Sequence, residues 1–87
     1  MITKLIKIGV ICERIEDFYQ FKNSLNKPFT EMTKRKFRDG DKEYMCITKV
    51  TDLCSHTFDL IEQTLESKYN PEYNEIITLS KTLVKVY

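Results

Sequence analysis

Apolar positions are densest between Leu5 and Cys12, where only Lys7 and Gly9 interrupt the run. A run that short reads as a strand buried on both faces and central in its sheet, with Gly9 leaving room for a helix to approach closely. Ile15, Phe18, Phe21 (or Lys22) and Leu25 then recur at three- to four-residue spacing, so 14–25 is expected to be an amphipathic helix packed on that strand. Glu13, Glu16 and Asp17 sit where the positive end of its dipole falls, and Asn26-Lys27-Pro28 is expected to end it.

Phe29 to Val50 reads as a long β-hairpin. Asp39-Gly40 marks its tip, because Gly and Asp tolerate the positive φ that a tight turn demands. Side chains alternate across a strand, so Phe29, Thr33, Arg35 and Phe37 share a face with Tyr44, Cys46 and Val50. The opposite face collects Thr30, Met32, Lys34, Lys36 and Arg38 with Met45, Ile47 and Lys49, a mixture of apolar and cationic groups. Residues 51–56 read as a polar connector. Phe58, Ile61, Leu65 and Tyr69 fall again at helical spacing, which predicts a second helix over 57–68. Asn70-Pro71 can break that helix or open another, with Asn70 as cap.

The tail can be threaded as a helix, but Ile76, Ile77, Thr78, Thr82, Val84 and Val86 are β-branched and favour a final strand near 82–87. The order strand, helix, strand, strand, helix, strand predicts an α+β, two-layer ferredoxin-like βαββαβ sandwich in a single domain, 1–87. A helical tail would instead give a smaller α/β variant lacking the last strand.

Charge changes the picture in one respect. The chain of 87 residues has a formal net charge of only +1. Residues 1–50, however, hold 11 Lys/Arg against 7 Asp/Glu, and 51–87 hold 3 against 6. The molecule is polarised rather than basic. Cys12, Cys46 and Cys54 contain no Cys-x-x-Cys, and the expected strand positions of two of them suggest small buried hydrophobes in a reducing cytoplasm. No apolar run approaches the roughly 20 residues that span a bilayer, and none resembles a signal peptide, so no membrane association is expected.

Chemical motifs are sparse. Cys54 and His56, with Asp52 as the local orienting group, could be drawn as a nucleophilic pair, and with Cys46 as metal ligands. A structural connector and a non-standard zinc spacing explain them better. Glu13, Glu16 and Asp17 are better explained as a charged first helical turn than as a magnesium or acid/base site. Gly9 and Gly40 alone form no phosphate-cradling loop. No cofactor, no metal and no catalytic residue is expected.

Lys42-Glu43-Tyr44-Met45-Cys46-Ile47-Thr48-Lys49 resembles the third strand of RNA-recognition motifs at Lys42, Tyr44 and Ile47 but lacks their glycine and other aromatics. RNA contact, if that resemblance holds, would be mainly electrostatic. Phe58-Asp59, Asn70 to Ile77 and Lys81 to Lys85, in a chain with no Ala, resemble the small early proteins of tailed, T-even-like phages. That resemblance implies a stoichiometric inhibitor of a host toxin, nuclease or other nucleic-acid-associated protein, placed in the cytoplasm of the bacterial host.

The expected function is therefore a non-catalytic interaction protein. Its candidate contact residues are Met32, Lys34, Lys36, Arg38, Met45, Ile47 and Lys49, apolar anchors rimmed by positive charge. A host protein or ribonucleoprotein is the expected partner. The alternative is direct RNA or DNA binding through phosphate contacts, a small enzyme comes third, and a homodimer is compatible with the exposed sheet edges.

Overall fold

The computed structural model describes residues 5–25 and 30–83, with the backbone alone at 31, 32 and 81–83. Its elements are strand β1 (Ile6–Ile11), helix α1 (Ile15–Ser24), strands β2 (Thr30–Thr33), β3 (Lys36–Asp39) and β4 (Lys42–Ile47), helix α2 (Val50–Cys54), strand β5 (Leu60–Gln63), a 3-10 turn (Ser67–Tyr69) and helix α3 (Tyr73–Leu83). The strands form one mixed sheet in the order β2-β3-β4-β1-β5.

β1 lies inside the sheet, as its apolar run requires, and pairs in parallel with β4 on one side and β5 on the other. Ile8, Val10 and Cys12 point to one face, where they cluster with Phe37, Tyr44, Cys46 and Phe18 of α1. Aromatic rings continue that layer. Phe37 stacks on Tyr44 at 4.8 Å between centroids, and Phe18 meets Phe37 at 5.3 Å. Ile11 points to the other face, into a cluster with Met45, Ile47, Leu53, Phe58, Ile61 and Ile76, which α2 and α3 help to cover. Helices thus cover both faces, and the chain is a mixed α and β domain of three layers.

Gly9 belongs to the second face. A Cβ built there would lie 2.5 Å from Ile47 Cδ1 and 2.9 Å from Ile61 Cδ1. The glycine therefore admits side chains from both neighbouring strands, whereas the sequence reading assigned the close approach to a helix.

Four expectations are overturned. The ferredoxin-like βαββαβ order is not the one observed, since β1 runs parallel to both of its neighbours and the sandwich has three layers instead of two. The long hairpin is also broken. Its tip does turn at Gly40, with φ +61° and Asp39 paired to Lys42 across a two-residue loop. Its first arm, however, reverses at Lys34-Arg35 into a second hairpin, of β2 and β3, which also has a two-residue loop. No Gly or Pro signals that turn. The Arg35 amide is held by Thr33 Oγ1 at 3.1 Å, and the Arg35 carbonyl accepts from the Cys46 amide at 2.9 Å.

The third correction is that 57–68 is not a helix and 51–56 is not merely a connector. α2 occupies 50–54, and β5 fills the free edge of β1 with Leu60 and Ile61 alternating between the two cores. Phe58 and Ile61 are buried as the helical spacing predicts, yet Leu65 is 87% exposed and Tyr69 64% exposed. Backbone groups on the open side of β1 needed partners, and pairing outweighed periodicity. Lastly, the chain is helical through Leu83 where a strand was expected from 82. Residues 84–87, like Phe29, the Asn26-Lys27-Pro28 stop and the Met32 side chain, lie outside the described residues. Among the described residues no helix is long and apolar enough to cross a membrane.

Candidate functional site

β1 and β4 are neighbours whose carboxyl ends lead to opposite faces. β1 runs into α1 on one face, and β4 runs into α2 on the other. This is the switch point of an open parallel arrangement, where departing loops separate and leave a crevice. A cavity of about 350 Å³ lies there, lined by Glu13, Arg14, Ile15, Arg35, Thr48, Lys49, Asn70, Pro71 and Glu72.

The two departing loops are built alike. In each a strand ends in Ile (Ile11, Ile47), a basic residue occupies the N-cap (Arg14, Lys49), and an aspartate stands at the third helical position (Asp17, Asp52). Asp17 Oδ2 accepts from the Glu13 amide at 2.9 Å and the Arg14 amide at 3.3 Å. Asp52 Oδ2 accepts from the Thr48 amide at 3.0 Å and the Lys49 amide at 3.1 Å. Glu72 Oε1 takes the Val50 amide at 3.1 Å. The amides of Glu13, Arg14, Thr48, Lys49 and Val50 are thus already held by the protein's own carboxylates, so a ligand is met there chiefly by side chains.

Arg35 is the central cation. Its Nη2 donates to Asp52 Oδ2 at 2.7 Å, to Thr48 Oγ1 at 2.9 Å and to the Cys46 carbonyl at 3.3 Å. Its Nε is a buried donor with no acceptor. Buried donors are normally satisfied, so this orphan, closed off from solvent behind the cavity, is a specific observation. Arg14, with Glu13 at 3.8 Å, and the exposed Lys49 add two further cations from separate segments.

Asn70 holds the crevice together. It is 5% exposed, and its Nδ2 donates at 2.8 Å to the carbonyls of both Cys12 and Thr48, one from each loop. Its Oδ1 accepts from the Glu72 amide at 2.8 Å just ahead of α3. The same residue that starts the last helix therefore fixes the spacing of the two strand ends.

The residues expected to form a docking face are not one surface. Met45 and Ile47 are 7% and 0% exposed in the core beneath α2 and α3, so they cannot serve as contact anchors, and that part of the expectation is corrected. Their strand supplies the inner wall of the three-layer packing, which a two-layer reading leaves open to solvent. Lys34 is exposed in the β2–β3 turn, and Arg38 is exposed with its Nε donating to the Gly40 carbonyl at 2.9 Å. Lys36 is half-buried and pairs with Glu43 at 3.8 Å. Of the seven, Lys49 alone lines the crevice among the described residues.

Arg14, Arg35, Asn70 and Glu72 were missed as site residues. The signal that could have found the region is the repeated pattern of a strand-ending Ile, a polar step, a basic N-cap and an Asp three residues further on. Nothing local could have placed Arg35 there, since its reach depends on the unforeseen turn.

Cys12 and Cys46 are both 0% exposed. The Cys12 thiol donates to the Val10 carbonyl at 3.3 Å; interaction with the neighbouring Cys46 thiol pushes Cys12 up, with burial adding to the effect, and pulls Cys46 down against its burial, with help from the Arg35 guanidinium. Buried so completely, they pack rather than react. Exposed Cys54 has no imidazole partner, because His56 Nδ1 lies 3.2 Å from the Asp52 carbonyl. Among the described residues no group of three His, Cys, Asp or Glu is arranged to hold a metal ion. Compared with family models, with curated proteins and with solved structures, the chain matches none.

Proposed function

We propose that the chain is a non-catalytic interaction protein whose recognition site is the crevice at the carboxyl ends of β1 and β4, and that it takes up an anionic group there. The observation that carries this reading is the convergence of Arg14, Arg35 and Lys49, from three separate segments, on one cavity of about 350 Å³. That size falls within the range of small-ligand sites, about 300–1,000 Å³. Strand-order reversal supplies the crevice, and the partly exposed Arg35 side chain lies on its wall. The lining hydroxyl, Thr48 Oγ1, is held by Arg35 at 2.9 Å and donates to Asp52 at 3.3 Å, a carboxylate that is itself ion-paired with Arg35, and binding without turnover is the reading adopted.

The interaction-protein character expected from the sequence is kept, while its surface moves from the hairpin face to the strand ends. The test is an amide NMR titration with inorganic phosphate. Shifts concentrated at residues 12–14, 47–50, 70 and 72, and abolished by Lys49→Gln with Arg14→Gln, are expected. Saturable shifts elsewhere, or none at millimolar phosphate, would overturn the reading.

A further inference from the structure

The crevice is larger than a bare oxyanion and its wall carries two kinds of group. Arg14, Arg35 and Lys49 are donors with positive charge, while Glu13 and Glu72 are acceptors. Among the described residues Glu72 commits Oε1 to the Val50 amide and keeps its second oxygen, and the Glu13 carboxylate pairs with Arg14 alone, at 3.8 Å. Among the described lining residues the apolar contribution is small, from Ile15 and Pro71, and none carries an aromatic ring to stack on a base.

From this composition we infer that the ligand is the phosphomonoester of a small polyol, its phosphoryl group anchored at Arg35 and its hydroxyls donating to Glu13 and Glu72. The inference rests on the proposed anion-binding crevice and names its ligand class. Three cations arriving from different segments suit the three terminal oxygens of a tetrahedral phosphoryl group. A planar carboxylate, by contrast, is satisfied by one guanidinium. Arg35 Nη2 is committed to Asp52, Thr48 and the Cys46 carbonyl, which leaves Nη1 of the same guanidinium to donate to a phosphoryl oxygen without displacing that pair. Carboxylates on the wall would repel a second anion but accept from hydroxyls, as acidic residues do for ribose in other strand-end sites.

The test compares sn-glycerol 3-phosphate with n-propyl phosphate, which share a skeleton and differ by two hydroxyls, by calorimetry on the full chain. The expected result is tighter binding of glycerol 3-phosphate, by about tenfold, because a site built to accept hydroxyl donors penalises their loss. Glu13→Gln with Glu72→Gln, which keeps an acceptor for the Val50 amide, should shrink that ratio towards one while inorganic phosphate binds as well as before or better. Lys49→Gln should weaken all three ligands alike. Equal affinity for glycerol 3-phosphate and propyl phosphate, or binding of glycine or glutamate in preference to both, overturns the ligand class while leaving an anion site standing. Failure of inorganic phosphate to reach the crevice amides sinks the parent reading instead. Far-UV circular dichroism of each variant confirms that a lost signal reflects the site and not the fold.

Discussion

Asn70 reaches across 58 positions of chain to the carbonyl of Cys12, donating from Nδ2 at 2.8 Å, and makes the matching bond to Thr48 from the same nitrogen. One buried amide thus joins the ends of two parallel strands that leave for opposite faces. Replacing Asn70 with Ala would leave both carbonyls without that donor, at a cost of about 2–4 kcal/mol. Asn70→Asp should cost more at pH 7, because a carboxylate would face two carbonyls. Its excess penalty should shrink as acid protonates the group and restores one donor. Urea unfolding of both variants at pH 7 and pH 4 measures the difference; an aspartate variant as stable as wild type at pH 7 would contradict the bridging role.

Burial of Met45 and Ile47 separates core from surface in a way that mutation can read. Ile47→Ala should destabilise by about 2–5 kcal/mol, and Met45→Ala by a comparable amount, through lost transfer energy and the cavity left behind. Lys34→Ala should change stability by no more than about 0.5 kcal/mol, as should Arg38→Ala. Chemical denaturation of the four variants checks the pattern. Near-neutral Ile47→Ala would place that side chain outside the packed layer.

Gly9 sits under the tips of Ile47 and Ile61. Gly9→Ala should destabilise by about 1–3 kcal/mol through overpacking, since the clashing atoms can shift but lose good rotamers. If so, Gly9→Ala combined with Ile47→Val should recover part of the loss. Thermal melts of the single and double variants report the coupling.

Tyr44 makes stability depend on alkaline pH. Burial, aided by the charges of Glu62 and Asp39, pushes its phenol above the ordinary 10.0. A raised folded-state value means the folded form holds the proton more tightly, so the contribution is full below pH 10. It is lost as pH climbs from there through the folded value, because the unfolded chain ionises first. Tyr44→Phe keeps the stack on Phe37 and should flatten the fall in stability between pH 9 and 11. Parallel slopes for wild type and variant over that interval would show the hydroxyl to be unperturbed.

Much of the architecture was legible in the chain. Leu5 to Cys12 announced a doubly buried strand because apolar side chains on both faces have no other comfortable place. Ile15, Phe18 and Leu25 announced α1 by their spacing, and Asp39-Gly40 announced a turn by its tolerance of positive φ. Phe58 and Ile61 were recognised as buried, but their three-residue spacing suited a helix as well as an edge strand preceded by a loop. Only the vacant side of β1, with its unpaired amides and carbonyls, favoured the strand.

The crevice was less legible still. Its residues come from four stretches of chain that no local pattern connects, and Arg35 belongs to it through a turn between β2 and β3 that lacks Gly and Pro. The sequence by itself determined which residues were too apolar to meet water and where the backbone could reverse cheaply. Tertiary structure decided which strands became neighbours, and hence that Met45 and Ile47 are core while Arg14, Arg35 and Lys49 face one cavity. Partner choice depends on backbone pairing and layer packing summed over the whole sheet, and those energies are not written at any single position.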